Sequence, residues 1–266
     1  MKSRLLVAAV GIPLLLVIVL WLPAFVMAAA LCVLAAVAAW ELLQCVGGEK
    51  KDILGVMGGV FAVLTVTWSR TMPDGLPALF FLFVLTVFAY AAAEEGAVKW
   101  EQIGAVLFGG IFTAWSFSAF LRMEAAGVGR AALLLPFLLS FACDTCAFFV
   151  GRSYGKRKLA PVVSPHKTVE GAVGGLAGSL AAGLLFTLIV PGMRTRFLSM
   201  FLLSLLSGVV AQVGDLSFSL IKRQYGVKDY GRLFLDHGGV LDRFDSVLFV
   251  APLVDFFVRI VMWWGW

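Results

Sequence analysis

Residues 198–218 read Leu-Ser-Met-Phe-Leu-Leu-Ser-Leu-Leu-Ser-Gly-Val-Val-Ala-Gln-Val-Gly-Asp-Leu-Ser-Phe. Apart from Gln212 and Asp215, every residue in this run is apolar or small. A helix of about 20 such residues, rising ~1.5 Å per residue, crosses the hydrocarbon core of a bilayer. The same reading applies at 5–22, 24–43, 53–69, 76–93, 103–121, 131–150, 171–191 and 246–264. Over the whole chain of 266 residues, 61% are hydrophobic and 14% charged, against roughly 25% charged in a soluble domain. No soluble domain of any size fits between the runs. The expected fold is all-α, a polytopic integral membrane protein with about nine transmembrane helices.

The N-terminus imitates a secretory signal, with Lys2 and Arg4, an apolar run from Leu5, and small residues at Ala28–Ala30. That run is longer than a signal core and eight more follow it, so retention as the first helix is expected. A cytoplasmic N-terminus places Lys2, Arg4, Lys50, Lys51, Lys99 and the basic segments of 152–167 and 222–232 on one side. The opposite side then receives only Arg70, Arg122, Arg130, Arg194 and Arg196, as the positive-inside rule asks. Nine spans would leave Trp263, Trp264 and Trp266 at the far interface, where indole rings prefer to sit. The expected location is the cytoplasmic (inner) membrane, with the working face toward cytosol. The net charge of +5 is mostly this asymmetry and needs no nucleic acid to explain it. Cys32 and Cys45 are isolated. Cys143 and Cys146 have redox or metal spacing but lie within a span and lack companions, so they read as small packing residues.

The two halves differ in kind. Residues 1–130 read as a scaffold of plain helices, in which Glu41, Glu94 and Glu95 look like solvated helix-boundary residues. Residues 131–266 carry the candidate site. Asp144 interrupts an apolar run, and a basic loop (Gly151–Lys158) and the stretch Val163–Glu170 follow. Gly171, Gly175, Ser179 and Gly183 form a small-residue ladder at four-residue spacing, which suits close helix packing. Gln212, Asp215, Ser219, Lys222 and Arg223 share one helical face, and Asp242, Asp245 and Ser246 share another.

From Ser219 to Asp245 the chain packs cations, carboxylates, a histidine and paired glycines between two lipid-like segments. Charge at such a place is expensive and marks a functional site by default. Asp215 and Asp242, expected to meet at one membrane depth, suit Mg²⁺, which takes one or two carboxylates plus substrate phosphates. Lys167, Lys222, Arg223, Lys228 and Arg243 would hold a polyphosphate, and Gly238-Gly239 would let backbone N–H groups approach it. Phosphoryl and nucleotidyl transfer ask mainly for such positioning and charge neutralisation. Arg157 and Lys158 read as ordinary topology signals. Asp255 and Arg259, four residues apart, read as a pair that neutralises itself.

The stretch resembles the signature of CDP-diacylglycerol synthases, the phosphatidate cytidylyltransferases of bacterial type. That pattern runs Ser-x-apolar-Lys-Arg, four residues, Lys-Asp-x-small, then His-Gly-Gly-x-x-Asp-Arg-x-Asp. It is met here by Ser219, Lys222-Arg223, Lys228-Asp229, Gly231, His237-Gly238-Gly239, Asp242-Arg243 and Asp245. Asp144-Thr145, the run Ser164–Gly171 and Gln212–Leu216 are similar to further pieces of the family. The resemblance implies that CTP and phosphatidic acid give CDP-diacylglycerol and pyrophosphate. It implies Mg²⁺ on Asp215 and Asp242, with Asp144 and Asp245 at or beside the metal and room for a second cation such as K⁺. Lys222, Arg223 and Arg243 would bind phosphates, with Lys167 and His237 near the nucleotide. Ser164, Thr168, Ser219, Lys228, Gly238 and Gly239 complete the implied substrate-binding set. The family also suggests a homodimer. Two positions depart from its usual pattern: Leu235 stands where proline or glycine is usual, and His166 where asparagine is.

Two other activities would use similar residues. A CTP-dependent lipid or polyprenol kinase would transfer the γ-phosphoryl group at the same kind of site. An ion-coupled transporter would also carry intramembrane aspartates and glycine-rich helices, but the charged cluster lies at one face and no inverted repeat is visible.

Overall fold

A computed structural model describes residues 11, 13–190, 197–231, 233 and 238–263, with 260–263 described by their backbone. His237, Leu235 and the tryptophans at 264 and 266 lie outside the described residues. The chain is helical almost throughout, because a backbone in hydrocarbon must satisfy its own N–H and C=O groups. Helix α1 covers 13–20. It is followed by α2 (Ala24–Val46), α3 (Lys51–Thr71), α4 (Leu76–Ala93), α5 (Trp100–Leu107) and α6 (Ala114–Ala125). Then come α7 (Leu135–Tyr154), strands β1 (Lys158–Ala160) and β2 (Ser164–Thr168), α8 (Val169–Ile189), α9 (Phe197–Gln224) and α10 (Leu241–Trp263). Among the described residues, seven helical segments are long and apolar enough to cross a membrane, from Ala24–Val46 to Phe197–Gln224. They coincide with the second to eighth of the expected spans. The expected first and ninth spans reach into residues outside the described set, and α1 and α10 occupy their described parts.

The chain divides into two compact units, one of Met1–Ala125 with Tyr225–Arg243 and one of Ala126–Gln224 with Phe244–Trp266. In the first, α5 and α6 are joined through a π-helical turn at Phe108–Thr113. Its glycines explain the close packing there. A Cβ on Gly109 would stand 2.9 Å from the Ala39 Cα of α2, and one on Gly110 would overlap the Phe83 ring of α4.

In the second unit the expected small-residue ladder does its packing. Gly171 and Gly175 lie against α7, where an added Cβ would come 2.7 Å from Ala147 O and 3.0 Å from Cys143 O. Ser179 donates to Ser204 O at 2.8 Å, and a Cβ on Gly183 would overlap the Ser204 hydroxyl of α9. Cys143 and Cys146 are free thiols that pack against this same helix, at Gly175 and Gly178. Asp255, 1% exposed, receives Arg259 through two bonds of 2.7 and 3.1 Å, the self-neutralising pair expected from their spacing. The basic loop after α7 forms an antiparallel hairpin, with Lys158 opposite Thr168 and Ala160 opposite Ser164. Sequence pattern did not call for strands there, since Pro161 and Pro165 argue against a ladder.

Candidate active site

Thr168 ends the hairpin and starts α8. Its Oγ1 accepts the Gly171 N–H at 3.1 Å, an N-cap that satisfies one orphan donor of the first turn. Two residues on, the Glu170 carboxylate accepts the N–H groups of Lys156 (3.0 Å) and Arg157 (3.2 Å). Cap and carboxylate together tie the basic hairpin to the end of α8. Arg223, in the last turn of α9, donates from Nε to Val163 O at 3.3 Å and fixes the hairpin from the other side.

Under the hairpin lies a cavity of about 440 Å³. Its polar wall consists of Asp144, Arg152, His166, Lys167, Thr168, Gln212 and Asp215, and its apolar wall includes Phe148, Leu159 and Ala172. Lys167 and Asp215 form an ion pair across it, each side chain about one quarter exposed, at 26% and 25%. Ser219, one turn along α9, donates to Asp215 Oδ1 at 3.3 Å. Gln212 is held by its donation to Ala172 O at 3.0 Å. Asp144 accepts the Ser246 hydroxyl at 2.9 Å, and the Ser246 N–H bonds Asp245 Oδ1 at 2.8 Å. Asp144, Asp215 and Asp245 lie within electrostatic range of one another, and Lys222 lies within range of Asp245.

The second unit therefore brings together Asp144, Asp215, Asp245, Lys167, Thr168 and Ser219 of the expected set. Ser164 stands in β2, paired with Ala160. Arg152 lines the cavity although sequence reading left it among the loop charges. Its signal was available: it belongs to the last turn of the helix that carries Asp144.

Asp242, Arg243, Lys228, Gly238 and Gly239 belong to the first unit. Lys228 and Arg243 are exposed. Asp242 Oδ2 accepts the main-chain N–H groups of Tyr230 (2.7 Å) and Gly239 (2.9 Å). The Gly239 N–H, expected to face phosphate, is thus engaged by a carboxylate of its own chain. Gly238 has φ +80°, a conformation suited to glycine.

Glu41 is the correction. It reads from sequence as a solvated boundary residue, yet it is 5% exposed. Its Oε1 accepts the Val240 N–H and its Oε2 the Leu241 N–H, both at 3.0 Å. A signal for it existed, since Glu41 lies inside the apolar run 24–43. Glu94 does keep the boundary character expected of it, pairing with Lys50 at 2.7 Å.

Among the described residues, no three His, Cys, Asp or Glu side chains group closely enough to hold a metal ion by themselves. The donor set nonetheless fits an ion that arrives with a polyphosphate, because such an ion needs only one or two protein carboxylates. Asp144 and Asp215 on one cavity wall supply that number.

Comparison with known proteins gives the family. The model of the cytidylyltransferase family matches residues 2–261. A Bacillus subtilis protein named phosphatidate cytidylyltransferase is 33% identical over 273 residues, covering 98% of each chain. A protein of the same name from Staphylococcus saprophyticus is 46% identical over 132 residues, 50% of each chain. With its fold, its intramembrane carboxylates and a match along nearly its whole length, the chain belongs to the cytidylyltransferase family.

Proposed function

We propose that this protein is a phosphatidate cytidylyltransferase, which makes CDP-diacylglycerol and pyrophosphate from CTP and phosphatidic acid. The observation that carries the reading is the cavity in which Lys167 and Asp215 face each other beside Asp144, among helices long enough to span a bilayer. A water-soluble nucleotide and a lipid can share such a place, one reaching it past the basic hairpin and the other from the bilayer.

In the reaction, an oxygen of the phosphatidic acid phosphate bonds to the α-phosphorus of CTP. The bond from that phosphorus to the bridging oxygen of the β-phosphate breaks, and pyrophosphate leaves with the electron pair. The attacking oxygen is already anionic near neutral pH, so no strong general base is needed. Lys167, Arg152, Lys222 and Arg223 bind and orient the phosphates, neutralising charge that spreads in the transition state. Lys167 is held ready by Asp215, which would exchange part of this pairing for substrate. Asp144 is fixed by Ser246 and Asp215 by Ser219, so both carboxylates keep their orientation. Asp215, with Asp144 and Asp245 beside it, would hold Mg²⁺, whose chemistry would be to neutralise phosphate charge. K⁺ is a candidate for an accompanying cation. Asp242 and Arg243 are assigned to the reaction by their place in the signature motif. The N-terminus is assigned to the cytosol and the site to the cytoplasmic face of the cell membrane, on the distribution of Lys and Arg.

The test is purified protein in detergent with phosphatidic acid, Mg²⁺ and CTP labelled at the α- or the γ-phosphate. The expected result is α-label in the lipid product, γ-label in pyrophosphate, and loss of both when EDTA is in excess. γ-Label in the lipid would replace this reading with a lipid kinase.

A further inference from the structure

The start of α10 receives part of its capping from a distant helix. A helix start leaves orphan N–H donors, commonly satisfied by a local Ser, Thr, Asp or Asn. Here the N–H groups of Val240 and Leu241 go to Glu41, a residue of α2 that precedes them by 199 and 200 positions. The next residue, Asp242, turns its Oδ2 back onto Tyr230 N and Gly239 N. Four consecutive or nearby main-chain donors are thereby pinned by two carboxylates.

The surrounding glycines fit this arrangement. A Cβ on Gly231 would stand 2.5 Å from Glu41 Oε1, and one on Gly239 would overlap the same carboxylate. A Cβ on Gly238 would stand 2.5 Å from Asp242 Oδ2. Glycine at 231, 238 and 239 is what lets the two carboxylates reach the backbone. Glu41 is buried in this setting at 5% exposure, and a carboxylate is costly to bury unless it is fully hydrogen-bonded. Its bonds all point to one task, the placement of the turn that carries Asp242.

We propose that Glu41 is a positioning residue for cytidylyl transfer, fixing the start of α10 so that Asp242 is presented in its working orientation. The proposal rests on the reading of Asp242 as a reacting-site carboxylate. Displacement of a catalytic group by an ångström costs rate far more than substrate binding. The effect should therefore fall on kcat.

The experiment uses the full chain with Glu41→Gln, Glu41→Asp and Glu41→Ala. Glu41→Ala should lower kcat about a hundredfold with KM for CTP within about threefold of the parent. Glu41→Gln, which keeps one acceptor oxygen, should lose about tenfold, and Glu41→Asp should recover part of what alanine loses. A second readout is independent of activity: amide hydrogen exchange. In Glu41→Gln it should quicken in the peptide containing Val240 and Leu241 and stay unchanged in α8 and α9. Parent-like kcat in Glu41→Ala would overturn the proposal. So would uniform exchange across the chain with activity falling only in step with folded protein. If the parent enzyme itself makes no CDP-diacylglycerol, the functional reading fails, while the exchange result still decides whether Glu41 holds the start of α10.

Discussion

Asp215 and Asp242 are both acids near the ends of apolar helices, but they are held in different ways. Asp215 is engaged by side chains, the ammonium of Lys167 and the hydroxyl of Ser219. Asp242 is engaged by main chain, the N–H groups of Tyr230 and Gly239, with Glu41 gripping the next two donors along. A carboxylate held by side chains can exchange its partners for substrate. One held by backbone cannot move without moving the chain. The first kind suits a group that rearranges as phosphates enter, the second a group whose position must already be set.

The strongest test of that contrast compares Asp215→Asn, Asp242→Asn and Asp242→Ala. Both asparagine variants should lose about a thousandfold or more in turnover, since neither can offer a full negative charge to a phosphate-bound cation. Both should still fold: in Asp242→Asn the one amide oxygen can accept both main-chain N–H groups, and in Asp215→Asn it keeps an acceptor for one of Lys167 and Ser219 at a partly exposed position. Asp242→Ala should differ. It orphans the Tyr230 and Gly239 donors and should cost about 1–3 kcal/mol of stability beyond Asp242→Asn. Thermal unfolding in detergent measures this, and equal midpoints for the two Asp242 variants would break the distinction.

Much of this was legible in the sequence, and the failures share a cause. The expected spans fall on α2 to α9 because long apolar runs are a local signal that the bilayer makes decisive. The ladder of Gly171, Gly175, Ser179 and Gly183 was readable for the same reason, as a period along one helix. Asp144 and Asp215 stood out because charge in an apolar setting is rare, and the structure gathers them with Lys167 around one cavity. Glu41 obeyed the same rule but lay close enough to the end of its run to pass as solvated. No local pattern tells that a carboxylate on α2 will meet N–H groups 200 residues later. The hairpin at Lys158–Thr168 has no local signal, because Pro161 and Pro165 interrupt the pattern of so short a ladder. Gly238-Gly239 reads as a place where backbone comes close to phosphate, and residues alone could not say that carboxylates of the same chain come close to it.

The main-chain side of the contrast is sharpened by Gly239→Ala. Its Cβ would overlap Glu41 Oε1, so the turn or α2 must shift. Overpacking of this kind costs about 1–3 kcal/mol. Gly129→Ala is the control, because nothing lies within 4 Å of its added Cβ and its φ of −53° suits any residue. The unfolding midpoint should fall for Gly239→Ala and hold for Gly129→Ala. If both hold, the Glu41 carboxylate is not confined by the glycine backbone as described.

The smallest effect belongs to a pair held by side chains alone and open to water, Lys50 with Glu94, at 2.7 Å. The Lys50 ammonium holds the Glu94 carboxyl below its ordinary 4.5, and Glu94 in turn raises Lys50 above its ordinary 10.5. A lowered acid contributes stability above its unfolded value and loses it as pH falls through the folded one. A raised base contributes fully below its unfolded value and loses its share as pH rises through the folded one. Parent and Glu94→Gln should therefore differ by a constant small amount from about pH 5 to about pH 10 and converge at both ends. The difference should shrink in roughly 1 M salt, where the screening length is about 3 Å. Formation of CDP-diacylglycerol should be untouched. A gap as wide as that of Gly239→Ala, or one indifferent to salt, would mean that exposed side-chain pairing can fix this chain as firmly as the main-chain grip on α10 does.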